Sequence, residues 1–300
     1  MARMHADEVE IDLDLVRRLM ADQFPHWASM QLAEVLPRGT DNALFRLGAD
    51  MVVRMPRRDR TRLTLLKERR WLPHLAPSLP LAVPLPLAAG EPAAEYPFEW
   101  SIYTWLEGEP ATPDRIRDPV EAAEDLATFL SALEHVDARD GPPPGGHNFF
   151  RGAPLAIRDA PTREAIAALG SAIDAQSAIA HWDAALAASP WANPPVWIHG
   201  DLDSRNVLAH GGRLTGVIDW GGLAVGDPAC DVMVAWKMLS QDARATFRER
   251  TGVDNATWTR ARGWLVSQAV IALAYYTELS NPTLVAEARR WLAEVASDVP

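Results

Sequence analysis

The stretch His199-Gly200-Asp201-Leu202-Asp203-Ser204-Arg205-Asn206 gathers a histidine, two carboxylates and an amide into one short segment. Asp219 follows eighteen positions after Asp201, just beyond the apolar run Leu214–Ile218. A His-x-Asp opening, an Asn five residues after the Asp, and a second Asp beyond a strand form a phosphoryl-transfer pattern. In that chemistry Asp201 orients an incoming hydroxyl and accepts its proton. Asn206 and Asp219 would offer oxygen to Mg²⁺, which prefers octahedral oxygen ligation. Each residue alone has a plainer reading, since Asp caps helices and Asn forms turns. Order and spacing together favour the chemical reading. His199 reads as a residue that holds the loop by hydrogen bonding to backbone. Asp203 and Arg205 have two readings, contact with substrate or nucleotide, and a structural ion pair. Asp227, before Pro228, reads as a helix cap.

A nucleotide needs counter-charge, and the N-terminal third supplies it. Arg54 lies near the end of the apolar segment Met51–Pro56, and Glu68 follows on the next helical segment. A cation on a sheet and a carboxylate on the helix packed against it can pair and position charge over phosphates. Lys67 is the adjacent alternative, and a solvent-exposed strand end is the plain one. Pro37–Asn42 reads as a hairpin turn or as a loop covering phosphates through backbone N–H groups. Ser101 and Tyr103, in Trp100–Tyr103, are placed where backbone groups would read the adenine edge.

The elements that position these residues follow from periodicity and turn chemistry. Val9, Ile11, Leu13, Val16, Leu19 and Met20 predict a first amphipathic helix. Short strands are expected at Gln31–Leu36, Ala43–Leu47, Met51–Met55, Leu85–Ala89 and Phe98–Trp105, with a helix over Arg62–Leu75. This predicts an antiparallel sheet carrying one substantial helix over residues 1–105, with a linker at Leu106–Asp114. Residues 106–300 read as mainly helical. Helices are expected over Pro119–Glu134, over Arg163–Leu186 in two pieces around Gly170, and after Pro228 with breaks near Asp254 and Pro282. Short strands at Val196–Ile198, Val207–Leu208 and Leu214–Ile218 frame the motif loop.

Composition bounds the partners. Hydrophobic residues make up 48% and charged residues 23%, enough apolar mass for two cores. Lys+Arg 29 against Asp+Glu 40 gives a formal charge of -11, and no basic tract argues for nucleic acid. Cys230 is the single cysteine, so no internal disulfide forms, which fits a cytoplasmic chain. Met1–Glu8 lacks the apolar core of a signal peptide, and no apolar run reaches membrane-spanning length. Core and dimer interface look alike in sequence, so no oligomeric state is read.

His199-Gly200-Asp201 with Asn206, Asp219-Trp220-Gly221 and Gly226-Asp227-Pro228 resembles the aminoglycoside phosphotransferase family, relatives of choline and homoserine kinases. The resemblance runs from about Ala28 to Tyr276. It implies an α+β, two-lobed protein-kinase-like fold with a small antiparallel sheet lobe that binds nucleotide and a mainly helical lobe. It implies ATP and Mg²⁺, with Asp201 as catalytic base, Asn206 and Asp219 on the metal, and Arg54 and Glu68 at the usual Lys–Glu positions. Arg54 departs from the lysine of the best-known members. The implied reaction is transfer of the γ-phosphoryl group to a hydroxyl of a small molecule, an aminoglycoside among the candidates. The alternatives are a sugar, an amino alcohol or a macrolide as acceptor. A non-catalytic nucleotide-binding module is the alternative of a different class. No Ala-Pro-Glu segment follows Asp219, which argues against a protein kinase. The acceptor is expected between the catalytic loop and residues 147–186, with Asn148, Phe149, Arg151, Arg158 and Asp159 at its edge.

Overall fold

The computed structural model describes residues 9–36 and 41–298. The chain divides into two compact units. The first holds the chain through Gly108 together with Gly216–Gly221; the second holds Glu109–Thr215 and Gly222 onward.

In the first unit, α1 (Leu13–Gln23) begins where Asp12 caps it, its carboxylate accepting from Leu15 N at 2.8 Å. Val9 and Ile11, expected inside this helix, precede the cap. Leu15, Val16, Leu19 and Met20 form its buried face. The strands are β1 (Leu32–Glu34), β2 (Asn42–Leu47), β3 (Met51–Pro56), β4 (Pro86–Gly90) and β5 (Trp100–Thr104), with α2 (Asp59–Leu75) between β3 and β4. They form one antiparallel sheet in the order β1-β2-β3-β5-β4. Phe45, Leu47, Val53, Met55, Trp100 and Ile102 share a core with the apolar face of α1. Burying each large side chain contributes roughly 1.5–3 kcal/mol. Of Pro37–Asn42, residues 37–40 lie outside the described residues; Asp41 pairs with Arg58 at 2.6 Å and Asn42 opens β2. Met1–Glu8 also lies outside them.

The second unit opens with β6 (Glu109–Pro110), inside the expected linker, which pairs with β8 (Val207–His210). Between them come α3 (Pro119–His135), α4 (Asp159–Leu169), α5 (Ala175–Ala187) and β7 (Val196–Ile198). β9 (Arg213–Val217) completes a three-stranded sheet in the order β6-β8-β9. Its last residues belong to the first unit, where Gly216 bridges Ala82 and Val217 N donates to Ala82 O at 2.8 Å. β10 (Ala224–Gly226) pairs antiparallel with β7. The rest is α6 (Ala229–Val232), α7 (Val234–Met238), α8 (Gln241–Thr251), α9 (Asn255–Tyr275) and α10 (Pro282–Ser297). α9 is the hub. It packs on α4, α5, α6 and α10, and is buried on almost every side from Thr257 to Val270. Cys230 sits fully buried in α6.

Candidate functional site

Arg54 points away from the core face that Val53 and Met55 fill on β3. Its register partners are Leu44 on β2 and Ser101 on β5. On α2 the buried stripe is Thr61, Leu65, Glu68, Leu72 and Leu75, so Glu68 is a carboxylate set in an apolar row. A charge there is costly unless paired. Arg54 Nη1 donates to Glu68 Oε2 at 2.6 Å, and Arg54 Nη2 donates to Asp219 Oδ1 at 3.4 Å. The Asn42 amide, with its oxygen turned to the guanidinium, accepts from Nη2 at 3.0 Å and Nε at 3.1 Å. Burial pushes the Glu68 carboxyl up to about 6 against the pull of Arg54. Burial opposes the charge on Arg54, but Glu68 and then Asp219 outweigh it and raise the guanidinium further.

Asp219 sits beyond β9 with φ +60, a left-handed conformation uncommon outside glycine, asparagine and aspartate. The turn after it is clasped. Trp220, fully buried, donates Nε1 to Val217 O at 3.0 Å, and Lys67 Nζ donates to Gly221 O at 2.9 Å. Lys67, the alternative phosphate cation, is thus engaged with this turn, and burial lowers it to about 8. The Asp219 side chain remains 57% exposed.

Ser101 and Tyr103 lie within the sheet. β5 lies between β3 and β4, so Ser101 faces Arg54 and Ala89 across the ladders, and Tyr103 faces Val52 and Pro86. A strand flanked on both sides commits most of its backbone to those ladders, although the β4 partner of Tyr103 is Pro86, which brings no N–H. Backbone outside the ladder begins only after Thr104, and Trp105 N donates to Asp50 O at 2.7 Å. The side chains of Ser101 and Tyr103 are buried. Burial and Glu68 raise the Tyr103 phenol above its ordinary range.

In the second unit, β7 delivers the chain to His199. His199 N and Gly200 N both donate to the Asp231 carboxylate, at 2.6 and 2.7 Å. Gly200 has φ +83, and a Cβ there would meet Gly222 O at 2.5 Å, so only glycine fits. His199 Nδ1 accepts from Asp201 N at 3.1 Å, a loop-holding contact of the kind expected. Asn206 Nδ2 donates to Asp201 O at 2.8 Å, which fixes the amide and leaves its oxygen turned the other way. Asp203, buried, binds Arg205 through backbone N at 2.8 Å and through Nε at 3.1 Å, the structural alternative for that pair.

The Asp201 carboxylate meets Arg151 Nη2 at 3.0 Å, with Gln268 Nε2 of α9 at 3.5 Å. Burial would push this carboxyl up; Arg151, then Lys237, His199 and Arg205 outweigh it and hold it below the ordinary carboxylate range. Its side chain is 29% exposed. Arg151 ends a strained turn. Phe149 and Phe150 have φ +56 and +59, and Gly152 has φ +85, where a Cβ would meet Ile198 Cδ1 at 2.5 Å. Asn148 ties the turn down by donating to Arg151 O at 2.9 Å and Gly222 O at 3.2 Å. Asp227 caps Ala229 N at 3.0 Å as expected, and also takes Arg260 at 2.7 and 3.1 Å. Asp159, expected on a loop, starts α4 and accepts from Trp182 Nε1 at 2.7 Å.

Asp231, Gln268 and Arg260 were missed. Asp231 carried a signal, because a carboxylate inside the apolar run Pro228–Met233 must find buried donors. Gln268 and Arg260 lie on α9, where polar and apolar residues are spread round the helix and no face stands out as the one that meets the loop.

A family model described as the phosphotransferase enzyme family matches residues 33–264, most of the chain. The chain belongs to that family. Among solved structures, the GDP and kanamycin complex of APH(2")-IIia is similar to this phosphotransferase-family chain at 19% identity and TM-score 0.73, covering 96% of this chain and 99% of that one. The ADP-bound APH(2'')-Ib is similar at 17% identity and TM-score 0.61, covering 96% and 99%. The macrolide 2'-phosphotransferase MphH from Brachybacterium faecium is similar at 24% identity and TM-score 0.62, covering 94% and 98%. Comparison with curated proteins gave no match. The family member thus has the α+β fold of the kinase-like two-lobe class, sheet-rich first and helical after. Among the described residues no helix is long and apolar enough to cross a membrane.

Two observations bear on a metal. Among the described residues, no group of three or more His, Cys, Asp or Glu stands ready to hold an ion alone. Mg²⁺ beside a nucleotide needs no such cage, since one or two protein oxygens join phosphate oxygens and water. In the first unit the half-open Asp219 carboxylate, and in the second the Asn206 oxygen left over once its nitrogen is bonded, are each an oxygen of the kind that mode uses.

Proposed function

We propose that this phosphotransferase-family chain transfers the γ-phosphoryl group of ATP to a hydroxyl of a small molecule. The observation that carries this reading is Asp201, a carboxylate kept ionised on a loop anchored by two backbone N–H bonds to Asp231. Asp201 holds the acceptor hydroxyl and takes its proton as the acceptor oxygen bonds to Pγ. The bridging bond from Pγ to the ADP oxygen breaks, and ADP leaves with that electron pair. Proton transfer is late in a loose phosphoryl-transfer transition state, so a weakly basic carboxylate suffices. Asn206 and Asp219 would hold Mg²⁺, which when bound neutralises charge on the phosphate oxygens. Arg54, steadied by Glu68, offers a cation to the α/β phosphates. An arginine there brings forked donors where a lysine brings a point charge.

Aminoglycosides and macrolides, named for the similar structures, are the first acceptors to try, followed by sugars and amino alcohols. The role of Asp201 is tested by Asp201→Asn. The variant should keep its fold and its nucleotide affinity while kcat falls by roughly 10²–10⁴-fold. Turnover within a few-fold of wild type would remove Asp201 from the base role.

A further inference from the structure

Basic side chains crowd the Asp201 loop and the turn beside it. Arg151 reaches Asp201 at 3.0 Å, and its guanidinium carbon lies 5.7 Å from the Phe149 ring centroid. Arg158 stands behind the same turn. Its Nη1 donates to Phe149 O at 3.1 Å, its Nε donates to Ser267 Oγ at 2.9 Å, and it lies 5.6 Å from the Trp264 ring centroid. Those partners are neutral, so Arg158 is a partly buried cation facing no carboxylate among them. Burial first, and Arg151 second, pull it down to about 10. Lys237, 2% exposed, places its Nζ 4.9 Å from the Trp291 ring centroid, where burial works against its charge. Of the acids nearby, Asp203 is committed to Arg205, which also meets Glu287 at 3.8 Å, and Asp231 to the backbone of His199 and Gly200.

The geometry points to an acidic acceptor, a hydroxyl compound whose carboxylate or phosphate is taken by Arg151 with the charge of Arg158 behind it. This rests on the phosphotransfer reading and names its substrate class. Arg151 reaches Asp201 through Nη2 at 3.0 Å, and a guanidinium fork carries further donors that can take an anion. That anion would screen the two guanidinium groups from each other and set the acceptor hydroxyl beside Asp201. An ammonium in the same place would add like charge to a low-dielectric surrounding and displace nothing. Arg151 is then a specificity residue of the acceptor and Arg158 the positioning residue that supports it.

Binding separates this from turnover. The full chain is saturated with Mg²⁺ and a non-hydrolysable ATP analogue and titrated by calorimetry with D-gluconate, inorganic phosphate, D-sorbitol and kanamycin. Gluconate or phosphate should bind more tightly than neutral sorbitol and cationic kanamycin. Arg151→Gln and Arg158→Gln should each weaken that anion by about ten-fold or more, and Arg151→Lys by less. Circular dichroism checks the fold of each variant. Kanamycin or sorbitol binding as tightly as both anions would overturn the proposal, as would anion affinity unchanged in both Gln variants. If Arg151→Gln instead weakens the ATP analogue and spares the anions, the arginine serves the γ-phosphate and the acidic acceptor is wrong. Anion binding lost in the Gln variants, with no acceptor ever phosphorylated, would keep the subsite and remove the kinase reading.

Discussion

In the first unit a cation, Arg54, is held by anions; in the second an anion, Asp201, is held by cations. Arg54 has a fully buried carboxylate at 2.6 Å and a half-open one at 3.4 Å. Asp201 has Arg151 at 3.0 Å, with Lys237 and Arg205 adding to the positive field. The first arrangement leaves one exposed carboxylate, Asp219, suited to a hard cation. The second suits an anion near an ionised base. The difference teaches that a chain of strong net negative charge can gather cations around one carboxylate, because local field depends on which few side chains lie together.

The comparison breaks first at Glu68. Removing this buried partner strands Arg54, so Glu68→Ala should cost about 3–5 kcal/mol in denaturant unfolding. The double change Arg54→Met with Glu68→Leu should recover most of that loss while nucleotide binding stays impaired. Recovery of both would show that the pair serves neither phosphate nor fold. A smaller effect is expected at Asp231, which carries two backbone N–H groups. Asp231→Ala should lower stability by about 1–3 kcal/mol and lower kcat beyond what the lost stability explains. Unchanged kcat in folded protein would show that the loop holds Asp201 without this anchor.

The smallest effect is on pH, and its sign differs between the two regions. Glu68 is raised to about 6, so its contribution to folding is present below the unfolded value and is lost as pH rises through 6. Asp201 is lowered, so its contribution is present above the unfolded value and is lost as pH falls through the depressed one. Against Glu68→Gln, wild type should therefore lose ground between about pH 4.5 and 6 as pH rises. Against Asp201→Asn, wild type should gain ground as pH rises through the acid range. Unfolding curves taken across pH check both slopes, and slopes of the same sign would contradict the comparison.

What sequence could read was local. Asp201 and Asn206 share one loop, and Arg54 and Glu68 belong to neighbouring elements, so spacing brought each pair within reach. The sheet, its helix and the helical remainder were likewise visible in periodicity. Arg151 was noticed only as a candidate at the edge, because its approach to Asp201 depends on a left-handed turn that spacing does not encode. Asp231 and Gln268 come from residues far along the chain. The central place of Ser101 and Tyr103 in the sheet was not legible, because strand order is not written in any one strand's sequence. The bridge between Gly216 and Ala82 spans a long sequence gap and lay beyond local reading for the same reason.

The central claim is phosphoryl transfer to a small hydroxyl compound through Asp201. Wild type and Asp201→Asn are incubated with Mg-ATP and a broad acceptor panel, cationic, neutral and acidic, and ADP release and product mass are read together. The account predicts an acceptor that gains one phosphoryl mass with matching ADP release in wild type, and a rate roughly 10²–10⁴-fold lower in the variant. ATP bound by wild type with no acceptor gaining that mass, or equal product from both proteins, would contradict it.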